Sequence, residues 1–423
     1  MINKVIMKRL GNRSLAIKAA KKYHLNSITT KEARITNKFS YASFIFQPLK
    51  IMIGILCCVL YAVFLPFNII YLLYIYLKNR QHISYKEYIP NWEKLYEHWG
   101  RYPSCFITKA TEYTYYHGLH KNIYYNSLEI GVYSGETSRG FFNNKIFDAG
   151  IEYNIDRLIV YIKGENIHSH LYCADVSMLP FQDETFHNII CVHSIDDMEV
   201  PAAVALEEMV RVLKPGGSIV FSGITENFTR HNLIVRILRA IGLKKISKIV
   251  FENIYIGSSN CYNKLDWERI FDKIDCEVIK FHTYVPFNYS GFFDLSYRPE
   301  VVLLNVLGLK NLLEPFVRNS MIKKLLFRSA AAMTYLSNTK TTQIEGINFF
   351  CIARKIKSNH NNSNESVFSG NLSLLCPKCH GNVFLVNDID NVEIKKFLCS
   401  TCKNEYTIVK GIPVFLVLNK IDY

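Results

Sequence analysis

The sequence SLEIGVYSG (residues 127–135) decides the fold of this 423-residue chain. It is a short apolar run followed by a turn of small residues. Such a turn lets a ligand reach the backbone N–H groups at the start of the next helix. GIE follows at residues 150–152, and CADVSMLPF follows at residues 173–181. A strand, a glycine turn, a helix and then a strand that ends in a carboxylate are typical of a doubly wound α/β sheet with a nucleoside site at its carboxyl edge.

Two acids take the positions that a bound nucleoside needs. Glu152 lies at the predicted tip of the second strand, where a carboxylate can accept hydrogen bonds from both hydroxyls of a ribose. Asp175 lies beyond the third strand and can accept one from an adenine amino group. Downstream, NIICV (188–192) predicts a fourth strand, and EEMVRVLKPGG (207–217) leads into a fifth.

The segments "LEIGVYSG", "GIE", "ADVSMLPFQDETFHNIICVHS" and "EEMVRVLKPGGSIVFSG" resemble, in order and spacing, the class I S-adenosylmethionine-dependent methyltransferases. They are most similar to the small-molecule branch that contains the ubiquinone and menaquinone methyltransferases. The resemblance extends over roughly residues 95–355. It implies a Rossmann-like α/β fold with a seven-stranded sheet, and S-adenosylmethionine as the cofactor.

The resemblance also implies a place for each part of that cofactor. The residues around its methionine part would be Glu129, Gly131, Ser134 and Gly135. Glu152 would hold the ribose, and Asp175 with Val176 would hold the adenine. One position departs from the family pattern. Tyr133 stands where the family has the middle glycine of the turn, and its side chain narrows the space above the cofactor.

The positive charge is concentrated in a basic leader, residues 1–49. The whole chain carries a net charge of +14, and most of it comes from the first fifty residues, where Glu32 is the single acid. The basicity therefore does not belong to the predicted catalytic domain, and we expect no nucleic-acid partner. Most of the twelve cysteines are scattered, which indicates a reducing compartment.

Residues 51–77 form an uncharged apolar run between Lys50 and Lys78. The run is long enough to meet a bilayer, so residues 50–78 are predicted to be a membrane-associated helical segment. The alternative is a buried core helix. The long charged region before the run and the missing small-residue cleavage site argue against a secretory signal.

The topology of this segment follows from its flanks. The positive-inside rule places the leader in the cytoplasm, and a single crossing would export the catalytic domain away from its cofactor. Pro66, near the centre of the run, favours a bend. We therefore expect a bent, re-entrant or closely paired segment that returns the catalytic domain to the cytoplasmic face. The alternative is a tilted span with an exported C-terminal part.

A lead-in rich in tyrosine and histidine, residues 82–125, precedes the first strand. In the resembled family, helices here form a lid over the substrate; the alternative is ordinary packing against the sheet. The methyltransferase domain is predicted at residues 126–356, with insertions at 224–263 and 285–346. Within the second insertion, residues 301–317 and 321–328 are apolar segments interrupted by basic residues. They suit either an anionic membrane interface or a cap on the domain's own core.

The sequence after the fourth strand bears on the chemistry. It reads Val192-His193-Ser194, without the Asn-Pro-Pro-Tyr or Asp-Pro-Pro-Tyr motif with which methylases of exocyclic amines and glutamine amides work in this fold. Its absence favours methylation of an oxygen or carbon atom of a smaller acceptor. His193 is a candidate general base; the alternative is a histidine that only packs beside the cofactor.

A linker (residues 357–372) and a zinc ribbon (residues 373–423) are predicted at the C-terminus. The pattern C-x2-C-x19-C-x2-C supplies four thiolate ligands, Cys376, Cys379, Cys399 and Cys402. Four thiolates leave no open position, so the zinc would be structural. The segment also resembles the zinc subunit that activates tRNA and rRNA methyltransferases. That resemblance implies that the ribbon docks in cis on the methyltransferase domain; the alternative is a ribbon that binds another partner.

Two classes of function remain open. The first is a membrane-associated methyltransferase that acts on a small, lipid-linked, glycan or quinone-like acceptor. The second is a catalytically degenerate methyltransferase-like scaffold that recruits partners through its zinc ribbon. Binding of S-adenosylmethionine distinguishes the two.

Overall fold

The computed structural model describes most of the chain from residue 42 onward. The described residues are 42–119, 126–142, 147–196, 198, 200–228, 233–244, 260–286, 295–296, 300, 318–340, 346–356, 372–387 and 395–416. The basic leader up to residue 41, most of the predicted linker and residues 301–317 of the second insertion lie outside them.

Helices and strands alternate through the centre of the chain. The helices are α1 (Ala42–Asn79), α2 (Ile89–Trp99), α3 (Pro103–His117), α4 (Glu136–Phe141), α5 (Ile155–Tyr161), α6 (Ala202–Val212), α7 (Leu233–Ala240), α8 (Lys264–Asp272) and α9 (Ser320–Lys340). The first seven strands are β1 (Ser127–Ile130), β2 (Phe147–Glu152), β3 (His168–Ala174), β4 (Phe186–Cys191), β5 (Leu213–Ile224), β6 (Cys276–Pro286) and β7 (Gly346–Lys355). Four short strands follow: β8 (Val383–Asn387), β9 (Lys395–Cys399), β10 (Glu405–Val409) and β11 (Ile412–Phe415).

The strands lie side by side in the order β6-β7-β5-β4-β1-β2-β3, and β11-β10-β9-β8 continue the same sheet. The pairs among β1 to β5 are parallel, whereas β7 runs antiparallel to both of its neighbours. The order reverses between β1 and β4, which is the switch point where open α/β sheets bind ligands. The fold is therefore the expected Rossmann-like α/β fold.

Both faces of the sheet are covered, which explains why its strands are almost continuously apolar. On β4, Ile189 and Cys191 face one core and Ile190 faces the other. The first core contains residues of α6, α8 and the C-terminal segment predicted as a ribbon, and the second contains residues of α2 to α5 and α9. Side chains alternate between the two faces of each strand, so the sheet is the middle one of three layers.

The sheet is longer than the seven strands expected from the sequence, because the C-terminal strands join it. β11 pairs in parallel with β3, with Val414 opposite Cys173 and Phe415 opposite Ala174. A second contact lies just beyond β3, where the Leu375 N–H donates to the Pro180 carbonyl over 3.1 Å. The aromatic ring of Phe415 is buried in the core that α6 and α8 share.

The apolar N-terminal segment is one helix, α1, that continues through Pro66. A closely paired form of this segment is therefore wrong. Proline at position 66 removes a single N–H donor, and after it α1 is held by contacts of Tyr76 and Asn79 with α9. Residues Val59–Asn79 are long and apolar enough to cross a membrane by length and composition, which is weak evidence for membrane association.

The end of the second insertion forms α9 and packs into the protein's own core. Leu326, Phe327 and Met333 of α9 are buried. The ring of Phe327 stacks on Phe106 of α3 at 5.4 Å between centroids. Of the two alternatives for residues 321–328, packing on the domain's core is the one that the structure shows.

Candidate functional site

A cavity of about 330 Å³ opens at the carboxyl ends of β1 to β4. This volume lies within the range of small-molecule sites, roughly 300–1,000 Å³. Its walls come from the loops after these strands. The lining residues are Ile130, Gly131, Tyr133, Ile151, Glu152, Tyr153, Asn154, Arg157, Ala174, Asp175, Val176, Ser194, Met198 and Val200. Four of the predicted cofactor residues, Gly131, Glu152, Asp175 and Val176, are thus brought to one cavity.

The turn after β1 requires glycine at two positions. Gly131 has a φ of 78° and Gly135 has a φ of 84°, values that side-chain-bearing residues rarely adopt. A Cβ atom at Gly131 would collide with the Ser194 side chain, and one at Gly135 would collide with the ring of Tyr161. The turn therefore passes close to the loop after β4 and keeps that side of the cavity narrow.

Tyr133 occupies a glycine-like conformation, with a φ of 51°. Its ring lines the cavity, and the guanidinium of Arg157 lies 4.6 Å from the ring centroid. Its backbone N–H donates to Oε2 of Glu152 over 3.0 Å. The tyrosine thus has a left-handed backbone conformation, and its side chain forms part of the cavity wall.

Glu152 and Asp175 are fixed by local hydrogen bonds. Oε1 of Glu152 accepts from the Asn154 N–H over 2.9 Å, and the side chain is almost fully buried. Oδ1 of Asp175 accepts from both the N–H and the hydroxyl of Ser177, over 2.9 and 2.8 Å. An ionised carboxylate offers about four acceptor positions. Because Arg157 also contacts Oε1 of Glu152 over 3.4 Å, Glu152 keeps about one position for a ligand, whereas Asp175 keeps about two.

Three predicted cofactor residues do not line the cavity: Glu129, Ser134 and Gly135. Glu129 is buried, with its carboxylate 2.8 Å from Nε2 of His168 and 2.8 Å from the Ser138 hydroxyl that donates to it. In this arrangement Glu129 ties β1 to β3 and to α4.

His193 lies beside a buried carboxylate that sequence reasoning missed. Its Nδ1 is 3.4 Å from Oε1 of Glu112, a fully buried residue of α3. Glu112 also accepts from the Ser222 hydroxyl over 2.5 Å and pairs with Lys109 over 2.8 Å. His193 itself does not line the cavity, whereas the next residue, Ser194, does.

The charges of the cluster shift its pKa values in opposite directions. Burial acts to raise the pKa of Glu112, but Lys109 and His193 outweigh it and hold that pKa well below its ordinary value. Burial and Lys109 act to lower the pKa of His193, but Asp196 and Glu112 outweigh them, so that pKa is raised. The pair therefore favours a carboxylate beside an imidazolium.

Glu112 had no signal in the sequence because it lies among aromatic residues of the lead-in, KATEYTYYH (109–117). Its partner Ser222 lies on β5, more than a hundred residues away. Tyr116, one helical turn after Glu112, donates to the same Ser222 hydroxyl over 2.9 Å. Only the fold brings these side chains together.

The four cysteines of the C-terminal pattern form one cluster. Their Sγ atoms all lie within 4.8 Å of one another, with Cys376 and Cys402 3.6 Å apart and Cys379 and Cys399 3.5 Å apart. Sulfur atoms in tetrahedral zinc sites are about 3.8 Å apart, given zinc–sulfur bonds of about 2.3 Å. The arrangement is compatible with a structural zinc ion. The Tyr406 hydroxyl, 2.9 Å from Sγ of Cys376, supports that ligand from outside.

Comparisons with known proteins agree with this geometry over the first five strands. Residues 128–221 match the family model described as a methyltransferase domain. No curated protein matches the chain.

Three solved structures illustrate the structural similarity. The [4+2]-cyclase SpnF is 14% identical, with a TM-score of 0.37 over 59% of this chain and 82% of its own. A SAM-dependent methyltransferase from Methanosarcina mazei is 14% identical, with a TM-score of 0.32 over 55% of this chain and 92% of its own. The plantazolicin methyltransferase BpumL is 15% identical, with a TM-score of 0.33 over 60% of this chain and 85% of its own.

The cavity lies at the switch point of the sheet, and its walls carry the two acids that the sequence placed at the strand tips. Together with the family match of residues 128–221, this arrangement supports a methyltransferase domain in that part of the chain.

Proposed function

We propose that the chain is a membrane-associated S-adenosylmethionine-dependent methyltransferase that methylates an oxygen or carbon atom of a small, lipid-linked or glycan acceptor. The observation that carries the proposal is that Glu152 and Asp175, from neighbouring strand tips, line one cavity. The acceptor is not a nucleic acid in this proposal, and the catalytic domain faces the cytoplasm.

The cavity residues suit the parts of the cofactor. Glu152 would accept from the ribose hydroxyls, and Asp175 with Val176 would hold the adenine. Gly131, which has no side chain, would let the cofactor approach the backbone closely. When bound, S-adenosylmethionine supplies an electrophilic methyl group, and the chain must then position the acceptor and exclude water.

His193 is proposed to accept the proton of the acceptor hydroxyl. Oε1 of Glu112 lies 3.4 Å from Nδ1, which has no hydrogen-bond partner among the described residues, so a small rotation of the ring would let Nδ1 donate to Glu112 and leave Nε2 as the basic atom. Glu112 is therefore a positioning residue that acts through His193. Its low pKa keeps it ionised, so it stabilises the imidazolium that proton transfer creates.

The zinc ribbon is proposed to act in cis. The pairing of β11 with β3 and the contact at Pro180 flank the loop that carries Asp175. A ribbon folded around its metal would hold that loop in place. In the alternative, the ribbon recruits another partner.

A second candidate function is a degenerate methyltransferase-like scaffold. One observation favours it: the Tyr133 ring fills part of the cavity where the family has a glycine. A scaffold would bind partners through the ribbon and would not bind the cofactor.

Calorimetric titration with S-adenosylmethionine separates the two functions. We expect the wild-type chain to bind and Asp175→Ala to bind about tenfold or more weakly, because a hydrogen bond to a charged group contributes about 1.5–3 kcal/mol. The control is Asp272→Ala, which removes an exposed acid at the end of α8. A folded wild-type chain without affinity for the cofactor would leave the scaffold as the function.

A further inference from the structure

The described part of α1 has two different faces. One face carries an unbroken row of exposed apolar side chains, each 45–65% exposed and spaced three or four residues apart. This row, the α1 stripe, consists of Val59, Val63, Phe67, Ile70, Tyr74 and Leu77. The spacing places all six on one side of the helix.

The opposite face of α1 is held by the rest of the chain. The Asn68 amide donates to the Ser296 hydroxyl over 2.9 Å, and the Tyr61 hydroxyl donates to Glu300 over 3.2 Å. Near the C-terminal end, the Tyr335 hydroxyl of α9 donates to Asn79 over 3.2 Å. These contacts run from residue 61 to residue 79, whereas the α1 stripe is exposed over the same length.

This two-sided arrangement conflicts with a membrane crossing by the described part of α1. Residues 61–79 extend over about 27 Å, which is close to the ~30 Å of a hydrocarbon core. Along this length the inward face meets the fully buried acid Glu300 and, at 5.7 Å from the Tyr76 ring, the guanidinium of Arg328. A crossing would carry these groups into lipid, where charged side chains are costly.

The charge pattern favours a lipid surface as the partner of the α1 stripe. Residues 1–50 carry many basic side chains and one acid, and at the other end of α1 Lys78 lies in the last turn and Arg80 follows the helix. A basic segment beside an apolar helix face suits an anionic leaflet. A second copy of the chain fits less well, because parallel pairing through the stripe would bring two basic leaders together.

We propose that α1 lies in the plane of an anionic membrane leaflet, with the α1 stripe in the lipid and the opposite face on the protein. The inference deepens the membrane association of the proposed function and rests on it, but it does not depend on methyl transfer.

The first test is flotation of the full-length protein with preformed vesicles of phosphatidylcholine alone or of phosphatidylcholine with phosphatidylglycerol. We expect tighter binding to the anionic vesicles, and weaker binding at high salt. The double variant Phe67→Ser/Ile70→Ser should bind about tenfold or more weakly, because it removes buried apolar area. The control Leu265→Ser/Ile279→Ser removes two apolar side chains that are exposed elsewhere on the protein and should bind as wild type.

The second test measures depth with tryptophans introduced one at a time at Val63, Ile70 and Leu77, quenched by lipids brominated along their acyl chains. The quenching of the three native tryptophans, measured on the wild-type chain, is subtracted. An in-plane helix gives the same depth at all three positions. A crossing helix gives depths that differ by about 10 Å for each step of seven residues, and that result would overturn the proposal. So would equal vesicle binding by the stripe variant, or a dimer that this variant dissociates.

Cofactor titration on the same samples keeps the two proposals distinct. If the stripe variant loses vesicle binding but keeps its affinity for S-adenosylmethionine, the substitutions affect only the membrane-binding surface. If the wild-type chain binds vesicles but not the cofactor, the proposed catalytic function is contradicted and the membrane-binding role of the α1 stripe is not.

Discussion

Gly131 and Tyr133 share a left-handed backbone conformation, but only glycine adopts it without steric cost. For tyrosine the conformation costs about 1–2 kcal/mol. The cation–π contact with Arg157 and the hydrogen bond to Glu152 accompany this conformation. A side chain added at position 131 should therefore disturb the turn, whereas removal of the side chain at position 133 should relieve backbone strain.

Substituting these two residues tests the geometry of the turn. Gly131→Ala should weaken S-adenosylmethionine binding at least tenfold, because its Cβ would displace Ser194. Tyr133→Gly should change the free energy of unfolding by less than about 1 kcal/mol, since relief of backbone strain offsets the entropy of glycine. It should also bind the cofactor at least as tightly. Calorimetric titration and denaturant unfolding measure both, and a large loss of affinity in Tyr133→Gly would show that the ring belongs to the binding site.

The Glu112–His193 pair makes the protein sensitive to pH. The pKa of His193 is raised on folding, so the pair contributes stability that is complete below the ordinary histidine pKa of about 6.5. This contribution is lost as the pH rises through the folded pKa. Proton acceptance requires the neutral ring, so methyl transfer should increase as the pH rises through the same pKa.

An NMR titration of the His193 ring tests this coupling. In the wild-type chain the ring should titrate above about 6.5, and in Glu112→Gln its pKa should fall, because a neutral amide no longer favours the imidazolium. Glu277→Gln, which alters an exposed acid on β6, serves as the control. An unchanged His193 titration in Glu112→Gln would refute the positioning role of Glu112.

At the scale of elements, the contact between β3 and β11 joins the ribbon to the sheet. Phe415 is 1% exposed, and its ring contacts Tyr406 and Phe397 of the ribbon and Tyr172 of β3. The side chain of Phe415 therefore packs in the ribbon and against the sheet at the same time.

We expect Phe415→Ala to lower the free energy of unfolding by about 3–5 kcal/mol, the usual effect of removing a buried phenylalanine. Leu385→Ala, in β8 at the outer edge of the ribbon, should have little effect, because Leu385 is 49% exposed. Denaturant unfolding followed by the fluorescence of the buried Trp267 reports on the methyltransferase core. Equal stabilities of the two variants would mean that the ribbon folds independently of the sheet.

Local sequence patterns predicted the features that depend on residues close together in the sequence. The glycine turn, the acids at the strand tips and the paired cysteines all follow from short spacings, and the structure places Gly131, Glu152 and Asp175 around one cavity. The contacts that were not predicted join distant parts of the chain. Neither the pairing of Val414 with Cys173 nor the contact of Glu112 with His193 leaves a periodic signal.

For the molecule as a whole, the ribbon should contribute to the stability of the methyltransferase domain. Deletion of residues 370–423 removes the strand that pairs with β3, so the melting temperature should fall by roughly 5–10 °C. Removal of zinc by a chelator should act in the same direction, and added zinc should restore the original value. Differential scanning calorimetry measures both; unchanged melting would exclude a stabilising role in cis.

The order of synthesis gives the β3–β11 pairing a further consequence. β3 leaves the ribosome long before Ile412–Phe415 is made, and until then its outer backbone N–H and C=O groups have no strand beside them. Unprotected strand edges promote aggregation. The nascent domain therefore keeps an open sheet edge until β11 is made, and a product terminated before β11 would be a substrate for chaperones and proteases.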